Sequence, residues 1–342
     1  MITLDIFNQD AFSTTELTDF IKRQDFIPST LRDMSLFQPQ PIRTTDFWVE
    51  LKNGEIALIP TSERGAPRFE NAKQKRSAVS FQTVRLLKGD TITASELQNI
   101  RAEGEAEKLK EVQSEVTDRF DTIAGDMDLT EENLFLGAIQ GILVDADGVT
   151  VLENFFTKFG ITQATEVDFD LDNATPASGA LLKVCTGIQR AMQRAGKGAF
   201  LPTTEIVAFV GDAFWDDLVA HPEVKGAYNN WVASAAFSND KKAFGEFYWG
   251  GIYWKNYRGT DDNSTVSIAT DEAKFFPRGA RKVFKVAYSP AETFEFVNTR
   301  GMARYARVIP DLVRNEKADV ELSSYLLPYC ARPEMLLSGR RT

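Results

Sequence analysis

A long stretch of periodic apolar positions, from Thr93 to Gly125, predicts one amphipathic helix that organises the rest of the chain. Thr93 and Glu96 have the spacing of a capping box, which satisfies two backbone N–H groups at the start. The apolar stripe consists of Leu97, Ile100, Leu109, Val112, Val116, Phe120 and Ile123. A helix of this length is a rod of roughly 45–50 Å. Because it has one narrow stripe, we expect it to lie across a surface.

The first 45 residues combine a short helix with an irregular apolar segment. A capping box predicts a helix over Ser13–Gln24. Three prolines within Asp25–Thr45 exclude a continuous helix there. Because this segment also carries large apolar residues, we expect an arm laid on another surface of the same chain or of a neighbour.

Two strand-like runs, Asp46–Pro60 and Val79–Leu87, predict a long β-hairpin with a mobile polar tip. The tip is basic within an otherwise acidic chain. We call its five basic residues the basic finger: Arg64, Arg68, Lys73, Lys75 and Arg76.

The basic finger has three interpretations. It is a solvated loop without a role, a docking element for an acidic surface of a neighbouring copy, or a nucleic-acid contact. The third is disfavoured, because Phe69 is the one aromatic residue available for stacking on bases. For the second, the long helix just downstream supplies acidic residues that include Glu103, Glu107 and Glu111.

After the long helix, Thr130–Gly141 predicts a second helix, and Asp147-Gly148 predicts a tight hairpin turn. The turn superficially resembles a calcium loop, but the later ligand positions are apolar, so calcium binding is not expected. The run Val167–Asp172 alternates apolar and acidic residues. We therefore expect the exposed face of a strand there, and not a metal cluster.

Residues 173–286 have the pattern of a mixed α/β segment. We predict a helix over Ser178–Arg194, a strand over Glu205–Val210 and a helix over Asp212–Ala220. An aromatic strand pair bends at Gly250-Gly251. Farther on, alternating residues predict strands that return to the sheet begun before this segment, namely Thr293–Val297 and Val320–Leu322.

Composition excludes several classes of protein. The 342 residues carry a net charge of −10, which disfavours a protein whose main affinity is for nucleic acid. Cys185 and Cys330 lie far apart in sequence and predict buried free thiols. The one histidine, His221, precedes a proline and predicts a capping or surface role. No apolar run is long enough to span a bilayer and no signal peptide is present, so we expect a protein kept in a cytosol-like compartment.

No catalytic or cofactor motif emerges from the sequence. Gly196-Lys197-Gly198 lacks the spacing of a phosphate-binding loop. With one histidine and no Ser/His/Asp arrangement, the chain lacks the usual tools of an enzyme. We therefore expect no catalytic residue, no cofactor and no bound metal.

The order of parts resembles the capsid protein E family, the major capsid proteins of lambda-type tailed bacteriophages. The resemblance covers nearly the whole chain, with one departure from the family pattern at Ser323–Leu326. It is carried by LFQPQPIRTTDFWVE, GAIQGILVDADGVTVLENFF, FVGDAFWDDLVAHPEVKGAY, GGIYWKNYRG and YSPAETFEFVNTRGMARYARV.

The resemblance implies an α+β fold of the Hong Kong 97 type and a subunit that forms pentamers and hexamers around packaged double-stranded DNA, without sequence-specific binding. It implies portal and decoration proteins as partners, no membrane, and assembly in the host cytoplasm. Since no scaffold-like helical segment precedes Met1, a separate scaffolding protein is expected. The implied parts are an N-terminal arm (1–45), an extended hairpin loop (46–92), a peripheral domain with a spine helix (93–172 and 287–342) and an axial domain (173–286).

Two alternatives remain open from the sequence. One is the shell protein of a cellular nanocompartment with the same fold, and the other is a soluble α/β enzyme. Covalent crosslinking between subunits would need a Lys–Asn pair. Lys73 and Lys75 are available, but nothing marks a partner asparagine, so crosslinking is not expected.

Overall fold

The computed structural model describes residues 30–52, 76–97, 105–237, 246–257 and 266–342. The chain divides into two compact units. Unit 1 consists of the described residues of Met1–Phe47, Phe81–Leu134 and Val286–Pro328. Unit 2 consists of the described residues of Trp48–Ser80, Phe135–Lys285 and Tyr329–Thr342.

The described residues contain both helices and strands in similar amounts. The α-helices are α1 Thr30–Asp33, α2 Ala94–Leu97, α3 Glu105–Gln140, α4 Phe155–Phe159, α5 Ala180–Gly196, α6 Asp212–Ala220 and α7 Pro222–Phe237. Two 3₁₀ turns lie at Phe294–Phe296 and Pro333–Met335. The strands are β1 Gln38–Pro41, β2 Asp46–Lys52, β3 Arg76–Gln82, β4 Val84–Thr93, β5 Ile142–Val144, β6 Val151–Asn154, β7 Val167–Asp168, β8 Glu205–Val210, β9 Phe247–Trp249, β10 Ile252–Asn256, β11 Glu272–Arg278, β12 Phe284–Tyr288, β13 Tyr305–Pro310, β14 Lys317–Cys330 and β15 Leu337–Arg340.

Unit 1 is built on an antiparallel sheet with the strand order β1-β12-β14-β13, in which β14 also pairs with β4. Even-numbered residues of β4, β13 and β14 face a hydrophobic core, and odd-numbered residues face the other way, because side chains alternate along a strand. The core-facing residues are Leu86, Ile92, Ala306, Val308, Ala318, Val320 and Leu322.

Helix α3, which we call the spine helix, covers this core. Val112, Val116, Phe120 and Ile123 are all buried against the sheet, which confirms the described part of the predicted apolar stripe. At 1.5 Å per residue its 36 residues give a length of about 54 Å.

The predicted end of the long helix at Gly125 is wrong, and so is the separate helix over Thr130–Gly141. The spine helix continues through both to Gln140. Thr130 lies inside it and donates its hydroxyl to the carbonyl of Asp126, four residues earlier, so it does not cap a new helix. The helix ends where Gly141 takes a φ of 89°.

The predicted helix start is confirmed in part. The backbone N–H of Thr93 donates to a carboxylate oxygen of Glu96 at 2.9 Å, and α2 follows directly. Residues 98–104 lie outside the described residues. Continuity between α2 and the spine helix therefore stays a prediction.

Strands β2 and β3 pair as the two arms of the predicted hairpin. The single strand expected over Val79–Leu87 is interrupted at Thr83, whose backbone N–H donates to the carbonyl of Thr45. From Val84 onwards the chain pairs with β14 over ten residues, so it belongs to the sheet of unit 1. The hairpin thus ends before the predicted limit at residue 92. Its tip, residues 53–75, lies outside the described residues.

The predicted helix Ser13–Gln24 also lies outside the described residues. Farther along the predicted arm, Leu31 of α1 is buried. β1 lies at one end of the strand order in the sheet of unit 1. Pro39 and Pro41 are tolerated there, because an edge strand has N–H positions without a ladder partner.

Unit 2 contains a six-stranded mixed sheet with the order β7-β15-β11-β8-β10-β9. The bounds predicted for β8 and α6 are confirmed, and the predicted helix at Ser178 begins two residues later as α5. Gly250 and Gly251 form the turn between β9 and β10 with φ values of 62° and 78°. Aromatic residues such as Trp254 and Phe275 are packed edge to face in the core.

Two further expectations differ from the structure. The strand predicted over Thr293–Val297 is a 3₁₀ turn in which the side chain of Phe294 points into solvent. The limits of the compact units also differ from those predicted for the peripheral domain. Residues 135–172 belong to unit 2, and so do residues 329–342, because β15 pairs with β11 and β7.

We predict opposite effects of alanine at two glycines of unit 2. Gly187 lies inside α5 with open space around it, so Gly187→Ala should raise the free energy of unfolding by about 0.5–1 kcal/mol. At Gly211 a Cβ atom would lie 2.2 Å from the carbonyl oxygen of Ala269, so Gly211→Ala should lower it by about 1–3 kcal/mol. Urea denaturation of both variants measures this, and shifts of the same sign would contradict the packing at Gly211.

Candidate assembly surfaces

The surfaces expected from the sequence are the basic finger and the acidic face of the spine helix. Arg64, Arg68, Lys73, Lys75 and Glu103 lie outside the described residues. Arg76 begins β3, and Glu107 and Glu111 lie in the spine helix, but their side chains are not described. The pairing of these two surfaces therefore remains a prediction.

Farther along the helix, the acidic face is neutralised within the subunit. The Arg119 guanidinium contacts Asp90 of β4 at 2.5 Å and Glu115 at 3.0 Å. The Arg119 guanidinium donates a hydrogen bond to the Asp90 carboxylate. This bond is the largest cause that lowers the pKa of Asp90 and the largest that raises the pKa of Arg119. Glu115 therefore forms an ion pair within its own chain.

A second ionic group is buried, and sequence patterning did not identify it. We call it the anchor cluster: Arg32 of α1, Asp128, Glu131 and Glu132 of the spine helix, and Arg304. Arg32 donates to Asp128 at 2.5 Å and to Glu131 at 2.6 Å. Arg304 donates to the same two carboxylates, at 3.2 Å in the case of Glu131. The backbone N–H of Leu31 donates to Glu132 at 3.0 Å.

Apart from the Arg32 side chain, which is 22% exposed, the anchor cluster is almost inaccessible to solvent. Asp128 is 6% exposed, Glu131 5% and Arg304 7%. Burial is the largest influence on the pKa of Glu131 and raises it, although Arg304 and Arg32 oppose the shift. Nearby, burial raises the pKa of Tyr288 to about 12, and the charge of Glu131 adds to this effect.

The anchor cluster fixes the place where the N-terminal segment joins unit 1. Both guanidiniums share two carboxylates of the spine helix, so α1 is tied to the helix by charge as well as by the burial of Leu31. Asp128, Glu131 and Glu132 have the spacing that places residues on one side of a helix. This spacing was the available signal, but acidic residues at such positions usually indicate a solvated face.

The odd-numbered face of the sheet in unit 1 carries a cavity of about 210 Å³. Its floor is aromatic. The ring centroids of Phe296 and Tyr305 lie 4.8 Å apart, and those of Tyr305 and Tyr325 lie 6.1 Å apart. The Tyr305 hydroxyl donates to the carbonyl of Ser289 and accepts from the backbone N–H of Met302, which fixes its ring.

Two ion pairs form the walls of this cavity. Arg307 of β13 lies 3.0 Å from Glu321 of β14, and Arg85 of β4 lies 3.4 Å from Glu292. Strand register explains the first pair, because Arg307 and Glu321 are directly opposed in the antiparallel ladder. The cavity thus combines an apolar floor with charged walls.

The two cysteines and the histidine are all buried. Burial raises the pKa of the Cys185 thiol to about 12 and also raises that of Cys330, and both thiols are free, as predicted. His221 caps the end of α6: its backbone N–H bonds to Asp217, and its ring Nδ1 accepts from the N–H of Glu223 at 3.3 Å. It is buried, so the capping role is confirmed and the surface role is wrong.

The acidic motifs also have local explanations. The Asp147 carboxylate accepts hydrogen bonds from the backbone of Val149 and Thr150 and from the Thr150 hydroxyl, so it closes the predicted hairpin turn. The alternation of burial over Val167–Asp172 is confirmed, with Phe169 and Leu171 buried and the aspartates exposed. The strand expected there is confirmed only for Val167–Asp168, because Asp170 takes a φ of 49° and the chain turns. Within the described ranges, no group of three or more His, Cys, Asp or Glu side chains could hold a metal ion. In the same part of the chain, no helix is sufficiently long and apolar to cross a bilayer.

Comparison with known proteins identifies the chain's relatives. Residues 13–341 match the family described as phage major capsid protein E. The major capsid protein of Salmonella phage Felix O1 is 26% identical, and the match covers 95% of each chain. The major capsid protein of Pseudomonas phage KPP10 is 24% identical, with 97% of each chain covered.

Solved structures show the same fold at low sequence identity. A putative capsid protein of a prophage in E. coli CFT073 has a TM-score of 0.60 at 13% identity, covering 96% of this chain and 99% of that one. The capsid asymmetric unit of cyanophage Pam1 has a TM-score of 0.51 at 12% identity, covering 93% of each chain.

The solved neighbours show that the fold is the Hong Kong 97 type of phage capsid proteins. The chain belongs to the phage major capsid protein E family. It forms the icosahedral shell of a tailed-phage virion and is not an enzyme, which confirms the resemblance read from the sequence.

We predict that the anchor cluster depends on both guanidiniums. Arg304→Met leaves buried carboxylates short of a positive charge and should lower the free energy of unfolding by about 3–5 kcal/mol. The same substitution at Arg340, whose ion pair with Asp168 is half exposed, is the control and should cost less than about 1 kcal/mol. Chemical denaturation measures both, and equal losses would contradict a special role for the buried cluster.

Proposed function

We propose that the chain forms pentamers and hexamers that tile the shell around packaged double-stranded DNA. The observation that carries this proposal is the match to two phage major capsid proteins over at least 95% of both chains. A closed shell requires the same surfaces to meet repeatedly in slightly different settings. Rigid units with adaptable extensions meet that requirement, because the extensions absorb the differences between positions.

Within the subunit, we infer that unit 1 is the peripheral domain and unit 2 is the axial domain. The packing of the spine helix on the sheet of unit 1 supports the first assignment. The central position of residues 173–285 in the sequence of unit 2 supports the second. On this assignment, residues 135–172 and 329–342 are part of the axial domain and not of the peripheral domain.

Several partners follow from this function. A scaffolding protein would guide assembly in the host cytoplasm, a portal protein would occupy one vertex, and a decoration protein would bind the outer surface. The net charge of −10 suits a shell that encloses DNA without sequence-specific binding, because an acidic wall does not trap the phosphate backbone.

The basic finger is proposed to dock on the acidic start of a neighbour's spine helix. The internal Arg119 network occupies Glu115, which leaves Glu103, Glu107 and Glu111 as the acidic residues of this hypothesis. Opposite charges on separate parts of one chain steer copies together and suppress wrong registers.

The proposed assembly is tested by negative-stain microscopy of the expressed protein, alone and with a scaffolding protein from a related phage. We expect capsomer rings, tubes or shells. Uniform particles of the size of one chain, with and without scaffold and over a range of concentrations, would contradict the assembly into pentamers and hexamers.

For the finger, we predict that Lys73→Glu, Lys75→Glu and Arg76→Glu together reduce the yield of assembled particles at least tenfold in sedimentation. The control reverses three exposed basic residues of α5, Lys183, Arg190 and Arg194, with the same change of net charge.

A charge exchange completes the finger experiment. Changing Glu103, Glu107 and Glu111 to Lys in the reversed finger variant should restore assembly, because the attraction is re-established with opposite signs. Normal assembly of the finger variant, or a loss in the control of equal size, would show that the finger has no specific docking role.

A further inference from the structure

Phe294 is the most exposed large apolar residue among those described, with its side chain 100% accessible. It lies in the 3₁₀ turn Phe294–Phe296. Thr293, just before this turn, and Phe296, within it, line the cavity on the odd-numbered face of the sheet. Nearby, Val297 and Leu87 are also exposed, and Leu87 lines the cavity. An apolar projection and an aromatic cavity are therefore adjacent on one surface of unit 1.

The turn prevents Phe294 from filling the cavity of its own chain. The N–H of Phe296 donates to the carbonyl of Thr293 at 3.0 Å, and that of Thr299 donates to Phe296 at 3.1 Å. In a 3₁₀ turn successive side chains are about 120° apart. With the ring of Phe296 packed on Tyr305, Phe294 is directed elsewhere.

We propose that this surface is a two-fold contact between two copies of the chain, in which Phe294 of each copy enters the cavity of the other. A projection beside a cavity is what an isologous interface needs, because one patch must be complementary to itself. The partner is thus a second copy. The inference rests on the proposed assembly and names one of its contacts.

Charge supports the choice of a second copy as occupant. The cavity walls carry two arginines and two glutamates, in the pairs Arg85–Glu292 and Arg307–Glu321. A patch with equal numbers of both signs can place each arginine near a glutamate of its two-fold mate, whereas a strongly basic or acidic partner would meet like charges. Tyr305 and Tyr325 are buried, so the partly exposed ring of Phe296, which packs on Tyr305, is the aromatic surface that an incoming phenyl ring would contact.

Disulfide trapping between two variants, each with one added cysteine, tests the contact. Phe294→Cys and Leu87→Cys place one thiol on the projection and one at the cavity. The native thiols of Cys185 and Cys330 are fully buried and form no background. The two variants, one of which carries a size tag so that the mixed dimer migrates separately from both homodimers, are mixed before assembly, oxidised with diamide and run on a non-reducing gel.

We expect a mixed dimer that is at least tenfold more abundant than in a control mixture of Val149→Cys with Leu87→Cys. Val149 is exposed on the β5–β6 hairpin of unit 2 and is not part of the proposed contact. A second measurement uses Phe294→Ser, which should lower particle yield or stability while leaving the melting of the isolated subunit unchanged. Val149→Ser is its control.

The outcomes separate this inference from the proposed function. If wild-type protein forms particles but the mixture gives no more dimer than the control and Phe294→Ser assembles normally, the two-fold contact is wrong and the shell function stands. If wild-type protein forms no particles while mixed dimers still appear in solution, the contact stands and the proposed assembly fails.

Discussion

The packing of the spine helix on one face of the sheet in unit 1 is the interaction on which the rest of the structure depends. Val112, Val116, Phe120 and Ile123 are buried against strands that come from distant parts of the sequence. Each large apolar side chain buried in this way contributes about 1.5–3 kcal/mol. Four such residues on consecutive turns are sufficient to hold the early strand β4 and the late strands β13 and β14 in one sheet.

The spine helix covers one face of this sheet, and part of the other face is covered by residues of the same chain. Tyr305 and Tyr325 are buried there together with Ala291, and Phe296 and Met302 pack against them. The same helix holds the anchor cluster near the end of its segment in unit 1, where Arg32 and Arg304 share its carboxylates. One element thereby organises the core of unit 1 and holds α1 in place.

Local patterns were read correctly where the local signal and the tertiary environment agree. β8 and α6 have the predicted bounds. The continuous apolar run of β8 suits a buried strand, and the amphipathic segment that follows suits a helix, so the local pattern and the fold favour the same structure. The helix end predicted at Gly125 is wrong, because glycine inside a helix costs only about 1 kcal/mol and packing on both sides outweighs this. The strand predicted over Thr293–Val297 is also wrong, because alternation alone does not supply a neighbouring strand to pair with.

The sequence by itself determined the order of parts, the main apolar stripe, the buried thiols and the family, because these follow from spacing and from the arrangement of motifs along the chain. Only the tertiary structure decided which charged side chains form ion pairs within the subunit and which side chains are exposed to solvent. Asp128 and Glu131 are paired with Arg32 and Arg304, which lie about 100 and 175 residues away in sequence and reach them only in the folded chain. Pairing between distant residues depends on how whole helices and strands are placed relative to one another, and the local spacing of residues does not determine that placement.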